Sequence, residues 1–373
     1  MKSLRIIISG GGTGGHIFPA ISIADAIKKR IPNTEILFVG AEDRMEMQRI
    51  PEAGYKIIGL PVSGFNRKNL LKNISVLWRL QRSIRLAKKI IKDFKPHAVV
   101  GVGGYASGPL LKAASKKNIP ILIQEQNSYP GVTNKLLANS ANVICVAYEG
   151  LEQFFPKEKI VLTGNPCRNN LASEVSREEA STYFNLNPEK KTILVVGGSL
   201  GSRTLNRSIS KHLQTIVSSD VQIIWQAGDF FFHDLFLELQ YMLNTKNIHL
   251  CSFINRMDYA YKAADLVISR AGAGAISELC LLKKPVILVP SPNVSEDHQT
   301  KNAMALVSKD AAILVTDQAA EKDLVNVAYE TINDSQKMDM LSKNISKFAQ
   351  HDSDNRIVDE LIKLIKQKLN NNK

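Results

Sequence analysis

Cysteine is scarce in this chain of 373 residues. The four present, Cys145, Cys167, Cys251 and Cys280, are scattered and share no metal-binding or redox spacing. That excludes a disulfide framework and a zinc ligand set, and leaves free thiols of a reducing cytoplasm. Long hydrophobic runs are missing too. No stretch approaches the roughly 18 uninterrupted apolar residues that span a bilayer. The longest candidates are cut by charge or proline, as in Leu279-Cys280-Leu281-Leu282-Lys283-Lys284-Pro285. No targeting signal is expected, because residues 1–8 are too short for a secretory apolar core and the glycines from Gly10 onward break the run. RNA-binding aromatic motifs and helix-turn-helix signals are absent, so no nucleic acid is expected as a partner.

Glycine, by contrast, is concentrated in three turns. They read Gly10-Gly11-Gly12-Thr13-Gly14-Gly15-His16, Gly101-Val102-Gly103-Gly104-Tyr105-Ala106-Ser107-Gly108 and Gly197-Gly198-Ser199-Leu200-Gly201-Ser202. Each follows a short β-branched apolar run (Ile6-Ile7-Ile8, Ala98-Val99-Val100 and Ile193-Leu194-Val195-Val196) and precedes a segment able to form a helix. A strand, a glycine turn and a helix bring backbone N–H groups to a phosphate or sugar with no side chain in the way. Two such turns in the first half and one in the second point to two nucleotide-type domains sharing a cleft.

Strand and helix signals alternate on both sides of the middle. Strands are expected at 4–9, 35–39, 97–102, 120–124 and 143–147, with helices at 19–30, 78–94 and 109–117. The pattern restarts with strands at 192–196, 222–226, 248–251, 266–269, 286–289 and 312–315. Such alternation implies βαβ units and parallel sheets. The fold class is therefore α/β, two tandem Rossmann-like domains with an interdomain active-site cleft. The expected segments are 1–165, 166–350 and a C-terminal helix with a polar tail, 351–373, the boundary falling in Thr163-Gly164-Asn165-Pro166-Cys167-Arg168.

Charge is unevenly divided. The net +13 lies entirely in residues 1–165, with 24 Lys/Arg against 11 Asp/Glu, whereas the remainder is balanced. Residues 66–92 alone carry nine Lys/Arg and no acid, among them Lys72, interleaved with Leu70, Leu71, Ile74 and Trp78. A basic segment with apolar wedges and a Trp reads as a contact with an anionic membrane surface. The plainer alternative is an amphipathic helix with a solvated basic face.

Seven motifs in order resemble the MurG family of bacterial peptidoglycan glycosyltransferases. They are Gly11-Gly12-Thr13-Gly14-Gly15-His16-Ile17-Phe18-Pro19, Gly103-Gly104-Tyr105-Ala106-Ser107-Gly108-Pro109, Glu125-Gln126-Asn127, Gly164-Asn165-Pro166-Cys167-Arg168, Gly197-Gly198-Ser199-Leu200-Gly201-Ser202, the run from Ser269-Arg270-Ala271-Gly272 to Ser277-Glu278, and Gln299-Thr300-Lys301-Asn302-Ala303. The resemblance implies the GT-B fold and transfer of N-acetylglucosamine, with inversion, from UDP-N-acetylglucosamine (UDP-GlcNAc) to lipid I. It places the enzyme peripherally on the cytoplasmic face of the bacterial inner membrane.

The resemblance also implies roles. Ala273, Gly274, Ala275, Ile276 and Ser277 open a helix whose amides face the diphosphate, assisted by Arg168 and Ser199. Glu278 would take the ribose hydroxyls, Ile254 the uracil edge, and Asn127 and Gln299 the donor sugar, with Thr13, Gly14 and Gly15 approaching from the other domain. His16 is the expected base and Glu125 the alternative. Bland readings stay open: Arg168 as a surface residue, Glu278 complementing a helix dipole, His16 only holding its turn. No spaced acidic pair forms a metal box for the diphosphate, so no cofactor is expected to be required and any divalent cation is secondary. Rival readings are a dinucleotide oxidoreductase, with Glu42-Asp43 on the ribose, and a GT-B-like sugar-nucleotide 2-epimerase.

Overall fold

The computed structural model describes residues 4–64, 73–167, 171, 174–198, 200–243 and 247–371. The chain divides into two compact units, Met1–Cys167 with Gln350–Lys373, and Arg168–Ala349. The last helix thus belongs with the first unit.

The first unit holds strands β1 (Arg5–Ser9), β2 (Glu35–Ala41), β3 (Lys56–Leu60), β4 (Ala98–Gly101), β5 (Ile121–Glu125), β6 (Val143–Val146) and β7 (Ile160–Leu162). They form one parallel sheet in the order β3-β2-β1-β4-β5-β6-β7. Its helices include α1 (Gly14–Arg30), α2 (Glu46–Glu52), α3 (Asn73–Phe94), α4 (Ser107–Ser115) and α5 (Val132–Leu137). Side chains alternate across a strand, so the apolar run in β1 feeds both faces. Ile7 packs with Ala87, Ile90 and Ile91 of α3 and Leu110 of α4. Ile6 and Ile8 pack with Ile17, Ile23 and Ile27 of α1 and with Ile357, Val358, Leu361 and Ile365 near the C terminus. Burial on both faces is why the strands read as continuous apolar runs rather than as alternating ones.

The second unit repeats the plan. Strands β8 (Thr192–Val196), β9 (Gln222–Gln226), β10 (Ile248–Cys251), β11 (Leu266–Ser269), β12 (Val286–Leu288) and β13 (Ile313–Leu314) form a parallel sheet ordered β10-β9-β8-β11-β12-β13. Helices on this unit include α6 (Arg177–Tyr183), α7 (Arg203–Lys211), α8 (Leu213–Val217), α9 (Asp229–Leu243), α10 (Met257–Ala263), α11 (Ala273–Leu281), α12 (His298–Val307), α13 (Asp317–Asn333) and α14 (Ser335–Ile345). The chain then returns to the first unit as α15 (Ser353–Asn371). The C-terminal signals at 222–226, 248–251 and 266–269 coincide with β9, β10 and β11.

In both sheets the strand order reverses beside the first strand of the unit, between β1 and β4 and between β8 and β11. Ligands of open parallel sheets bind beyond the carboxyl ends of the strands at such a reversal. The first and second glycine turns follow β1 and β4. The third turn and the Ala271-Gly272 turn follow β8 and β11.

Candidate active site

In the first unit the two glycine turns touch. A Cβ on Gly104 would stand 2.5 Å from the Gly11 carbonyl oxygen, and Gly104 has φ +84, so glycine is required there twice over. Ser107, at the start of α4, ties the turns to β1: its hydroxyl donates to the Ser9 and Gly103 carbonyl oxygens, each at 2.8 Å. Thr13 caps the approach to α1, followed by Gly14 and Gly15, and Thr13 and Gly15 are exposed.

His16 stands on the first turn of α1, half-buried. Its Nδ1 lies 3.1 Å from the Gly11 carbonyl oxygen and 3.4 Å from the Thr13 hydroxyl oxygen. A carbonyl oxygen only accepts, so a hydrogen bond there takes its proton from Nδ1, and in the neutral ring Nε2 then carries the lone pair. Nε2 is 2.8 Å from where a Cβ of Gly103 would stand, so any larger residue at 103 would press on the ring.

Glu125 ends β5 and is 1% exposed. Its Oε1 accepts from the Asn127 amide at 3.0 Å and from Asn127 Nδ2 at 3.2 Å. Its Oε2 accepts from Asn134 Nδ2 at 2.8 Å and from the Gly131 amide at 3.2 Å. Burial pushes the carboxyl pKa up, and these four donors pull it back. The carboxylate therefore organises the loop that carries Asn127, which is half-buried. Asn165 braces the same loop, its Nδ2 donating to the Gln126 carbonyl oxygen at 3.0 Å.

In the second unit, Gln226 at the end of β9 grips the third glycine turn. Its Oε1 accepts from the Gly197 amide at 3.1 Å and its Nε2 donates to the Gly198 carbonyl at 3.0 Å. Ser202 caps α7, its hydroxyl accepting from the Leu205 amide at 3.3 Å. Arg270 follows β11 and joins three segments. It donates to the Ser202 hydroxyl at 2.6 Å, to the Val289 carbonyl at 3.0 Å and to Asp317 of α13 at 2.5 Å.

Gly272 caps α11 without a side chain, and a Cβ on Gly272 or Gly274 would meet nothing within 4 Å. The first amides of any α-helix lack partners within it, and those of α11 lie just past β11, at the carboxyl end of the sheet. Ala273 and Ile276 are buried, Ala275 is half-buried, and Ser277 donates back to the Ala273 carbonyl at 2.9 Å. Glu278 is 6% exposed and accepts from the Tyr261 hydroxyl of α10 at 2.9 Å. Ile254 is buried just before α10. Gln299, on the first turn of α12, accepts from the Ser291 amide at 2.9 Å through Oε1.

The structure thus gathers His16, Thr13, Gly14, Gly15, Glu125 and Asn127 at the strand ends of the first unit. It gathers the α11 residues, Ile254, Glu278 and Gln299 in the second. Arg168, Ser199, Leu70, Leu71 and Lys72 lie outside the described residues, as does the side chain of Ile74. Trp78 is 67% exposed on α3. Among the described residues no group of three or more His, Cys, Asp or Glu side chains converges as a metal would need. No helix among them is long and apolar enough to cross a membrane.

Sequence reasoning passed over Glu46, Gln226 and Arg270. Arg270 had a signal, since a cation directly after a strand and before a glycine turn stands at the ligand end of the sheet. Glu46 and Gln226 had none, because their partners are distant in sequence. Glu46 bears on the oxidoreductase reading: its carboxylate accepts the Gly12 amide at 2.9 Å, so an internal anion already uses that donor of the first turn.

Two parallel sheets of 3-2-1-4-5-6 type, each with glycine turns at its order reversal, define the GT-B class of nucleotide-sugar proteins. Residues 6–146 match the glycosyltransferase family 28 N-terminal domain and residues 192–357 the family 28 C-terminal domain, so the chain belongs to glycosyltransferase family 28. It is a hexosyltransferase by that membership. A protein of Parabacteroides distasonis named UDP-N-acetylglucosamine–N-acetylmuramyl-(pentapeptide) pyrophosphoryl-undecaprenol N-acetylglucosamine transferase is 62% identical, over 99% of this chain and 100% of its own. The crystal structure of Acinetobacter baumannii MurG superposes with a TM-score of 0.77 at 26% identity, covering 96% of this chain and 99% of that one. A Listeria monocytogenes structure described as a UDP-N-acetylglucosamine 2-epimerase superposes at 0.68 with 12% identity, covering 96% and 95%, a likeness of fold alone.

Proposed function

We propose that this enzyme transfers N-acetylglucosamine from UDP-GlcNAc to the 4-hydroxyl of the N-acetylmuramic acid in lipid I, with inversion, giving lipid II for peptidoglycan synthesis. The observation that carries this reading is the full-length, 62% identity to a relative named for that transfer. The acceptor hydroxyl oxygen bonds to the anomeric carbon, the bond from that carbon to the β-phosphate oxygen breaks, and UDP leaves. The hydroxyl proton goes to Nε2 of His16, imidazole being the side chain suited by type to take a proton at neutral pH. Glu125 serves as a positioning residue, because its oxygens are buried and engaged by its own loop.

The donor binds the second unit. Its diphosphate meets the first amides of α11, with Arg168 and Ser199, and its ribose meets Glu278. Ile254 reads the uracil edge, while Gln299 and Asn127 hold the sugar. Charge developing on UDP is compensated by these protein groups, with no cofactor required and any divalent ion secondary. The first unit meets the anionic surface that bears lipid I through its basic segment, on the cytoplasmic face of the bacterial inner membrane, without engaging nucleic acid.

The test is transfer of radiolabel from UDP-GlcNAc to purified lipid I, with UDP-glucose as control. Labelled lipid II is expected from the first donor only. Label appearing in the 2-epimeric sugar nucleotide without lipid, and none in lipid, overturns the reading in favour of the epimerase. His16→Ala is expected to lower turnover by about 10²-fold or more with little change in UDP binding.

A further inference from the structure

Glu46 opens α2 and is fully buried, a charged side chain at 0% exposure. A buried carboxylate persists only where donors satisfy it. Two backbone amides do so: Ala41 donates to Oε1 and Gly12 to Oε2, each at 2.9 Å. The carboxylate fills the space above the first glycine turn. A Cβ on Gly11 would stand 2.0 Å from Oε1, and one on Gly40 would stand 2.6 Å from the Glu46 Cγ. Glycine at these two positions is what admits the acid.

The amide of Gly12 and the carbonyl of Gly11 are two ends of one peptide group. Its N–H donates to Glu46, and its carbonyl oxygen accepts from His16 Nδ1 at 3.1 Å. Hydrogen bonds in series polarise one another. A peptide whose N–H bonds a carboxylate offers a more negative carbonyl oxygen, which in turn holds the Nδ1 proton and enriches Nε2. We infer that Glu46 is a positioning residue for the transfer reaction, acting on His16 through the single Gly11–Gly12 peptide to fix its tautomer and raise the proton affinity of Nε2. This rests on the reading of His16 as the base.

Other titratable groups on the elements around His16 enter less directly. Glu125 is reached through Asn134, whose Nδ2 lies 3.8 Å from the same point at Gly103 that His16 Nε2 approaches to 2.8 Å. Tyr105, beyond Gly104, turns its hydroxyl toward Gly64. The first turn of α1 carries no acid.

The primary experiment is nitrogen-15 NMR of the histidine-labelled full chain. In the wild type, neutral His16 is expected to carry its proton on Nδ1, and a proton on Nε2 overturns the inference whether or not any variant folds. Glu46→Gln keeps the shape but turns one acceptor into a donor. It is expected to lower turnover by about tenfold to a hundredfold, the scale of one charge-assisted hydrogen bond. The Nδ1 preference should weaken, and the acid limb of the turnover profile should move to lower pH. The KM for UDP-GlcNAc should stay within about twofold. Lower turnover with both the tautomer and the acid limb unmoved would mark Glu46 as merely structural.

Combining His16→Ala with Glu46→Gln should cost no more than His16→Ala alone, because the second change acts only through the first. A further loss as large as that of Glu46→Gln by itself overturns the series arrangement. Normal turnover in His16→Ala would remove the base reading and with it the role of Glu46 in turnover, whereas an unshifted tautomer in Glu46→Gln with turnover lost in His16→Ala would overturn this inference and leave the base reading standing.

Discussion

Two buried ionisable groups respond to burial in opposite senses. Glu125 is pushed up by desolvation and restrained by its four donors. Lys284 precedes β12 and donates to the Ala264 carbonyl at 2.6 Å; burial pushes its pKa down to about 8, although the nearby Asp265 opposes the shift. A lysine whose folded pKa is lowered destabilises the fold while it remains charged. Below about pH 8 the full penalty is present. Between there and the unfolded value of 10.5 the unfolded chain binds the extra proton, so stability rises with pH. The expected gain is on the order of 1–3 kcal/mol. Trp225, fully buried in the same unit, reports it directly. Cys251 and Cys280 of the same unit, both pushed up by burial, act in the opposite sense over this range, so the lysine is read as a difference: in urea unfolding followed by Trp225 emission, the pH slope from 8 to 10 should be more positive in the wild type than in Lys284→Met. An unchanged slope in the variant assigns the pH response to other groups. The site shows a different dependence on the fold. His16 was legible as a residue type ending a glycine turn. Which of its nitrogens carries the proton depends on a carbonyl that only the folded turn presents.

At the scale of elements, strands followed by glycine were the clearest signals, because apolar β-branched runs with an abrupt loss of side chains have few other readings. The strands β3 and β7 were harder to see: both lie at sheet edges and are partly exposed, the apolar run of β3 is broken by Gly59, and that of β7 is only three residues long. The helix α3 shows both the strength and the limit of reading charge. Trp78, Arg82, Arg85, Lys89 and Lys92 recur at helical spacing and are all exposed, while Val76, Ala87, Ile90 and Ile91 are buried. Leu77 adds a second exposed apolar side chain, at 53%. If this stripe meets an anionic leaflet, each cation near the surface contributes roughly 1 kcal/mol. Replacing Leu77 and Trp78 with Ser should weaken co-sedimentation with anionic vesicles and leave transfer to a short-chain soluble acceptor near normal. Unchanged vesicle binding would assign the stripe to solvent. Glycines at 103, 104 and 11 could be read as turn formers; that two turns from different βα units need glycine because they touch could not.

For the molecule as a whole, the surprise is α15. Its apolar spacing announces an amphipathic helix, yet nothing local says what it covers. In the structure Ile357, Val358, Leu361 and Ile365 are 0–4% exposed and complete the core beside α1 and β1, more than 300 residues earlier. Burying four such side chains at about 1.5–3 kcal/mol each rivals the whole stability of an ordinary domain, about 5–15 kcal/mol. A chain ended at residue 349 should therefore lose the cooperative unfolding of its first unit, while Trp225 emission still shows a folded second unit. A shortened chain whose circular dichroism lacks only the signal of α15 itself, and whose first unit still unfolds cooperatively, would contradict this. By itself the sequence determined two α/β halves, the three glycine turns, the cation-rich segment and a histidine at the head of α1, because each follows from local periodicity, local sterics or composition. Tertiary structure alone decided the strand order that sets the first two of those turns side by side, the return of the last helix, and the hold of Glu46 and Arg270 on their turns. These depend on contacts between residues far apart in the chain, where no short-range pattern carries the information.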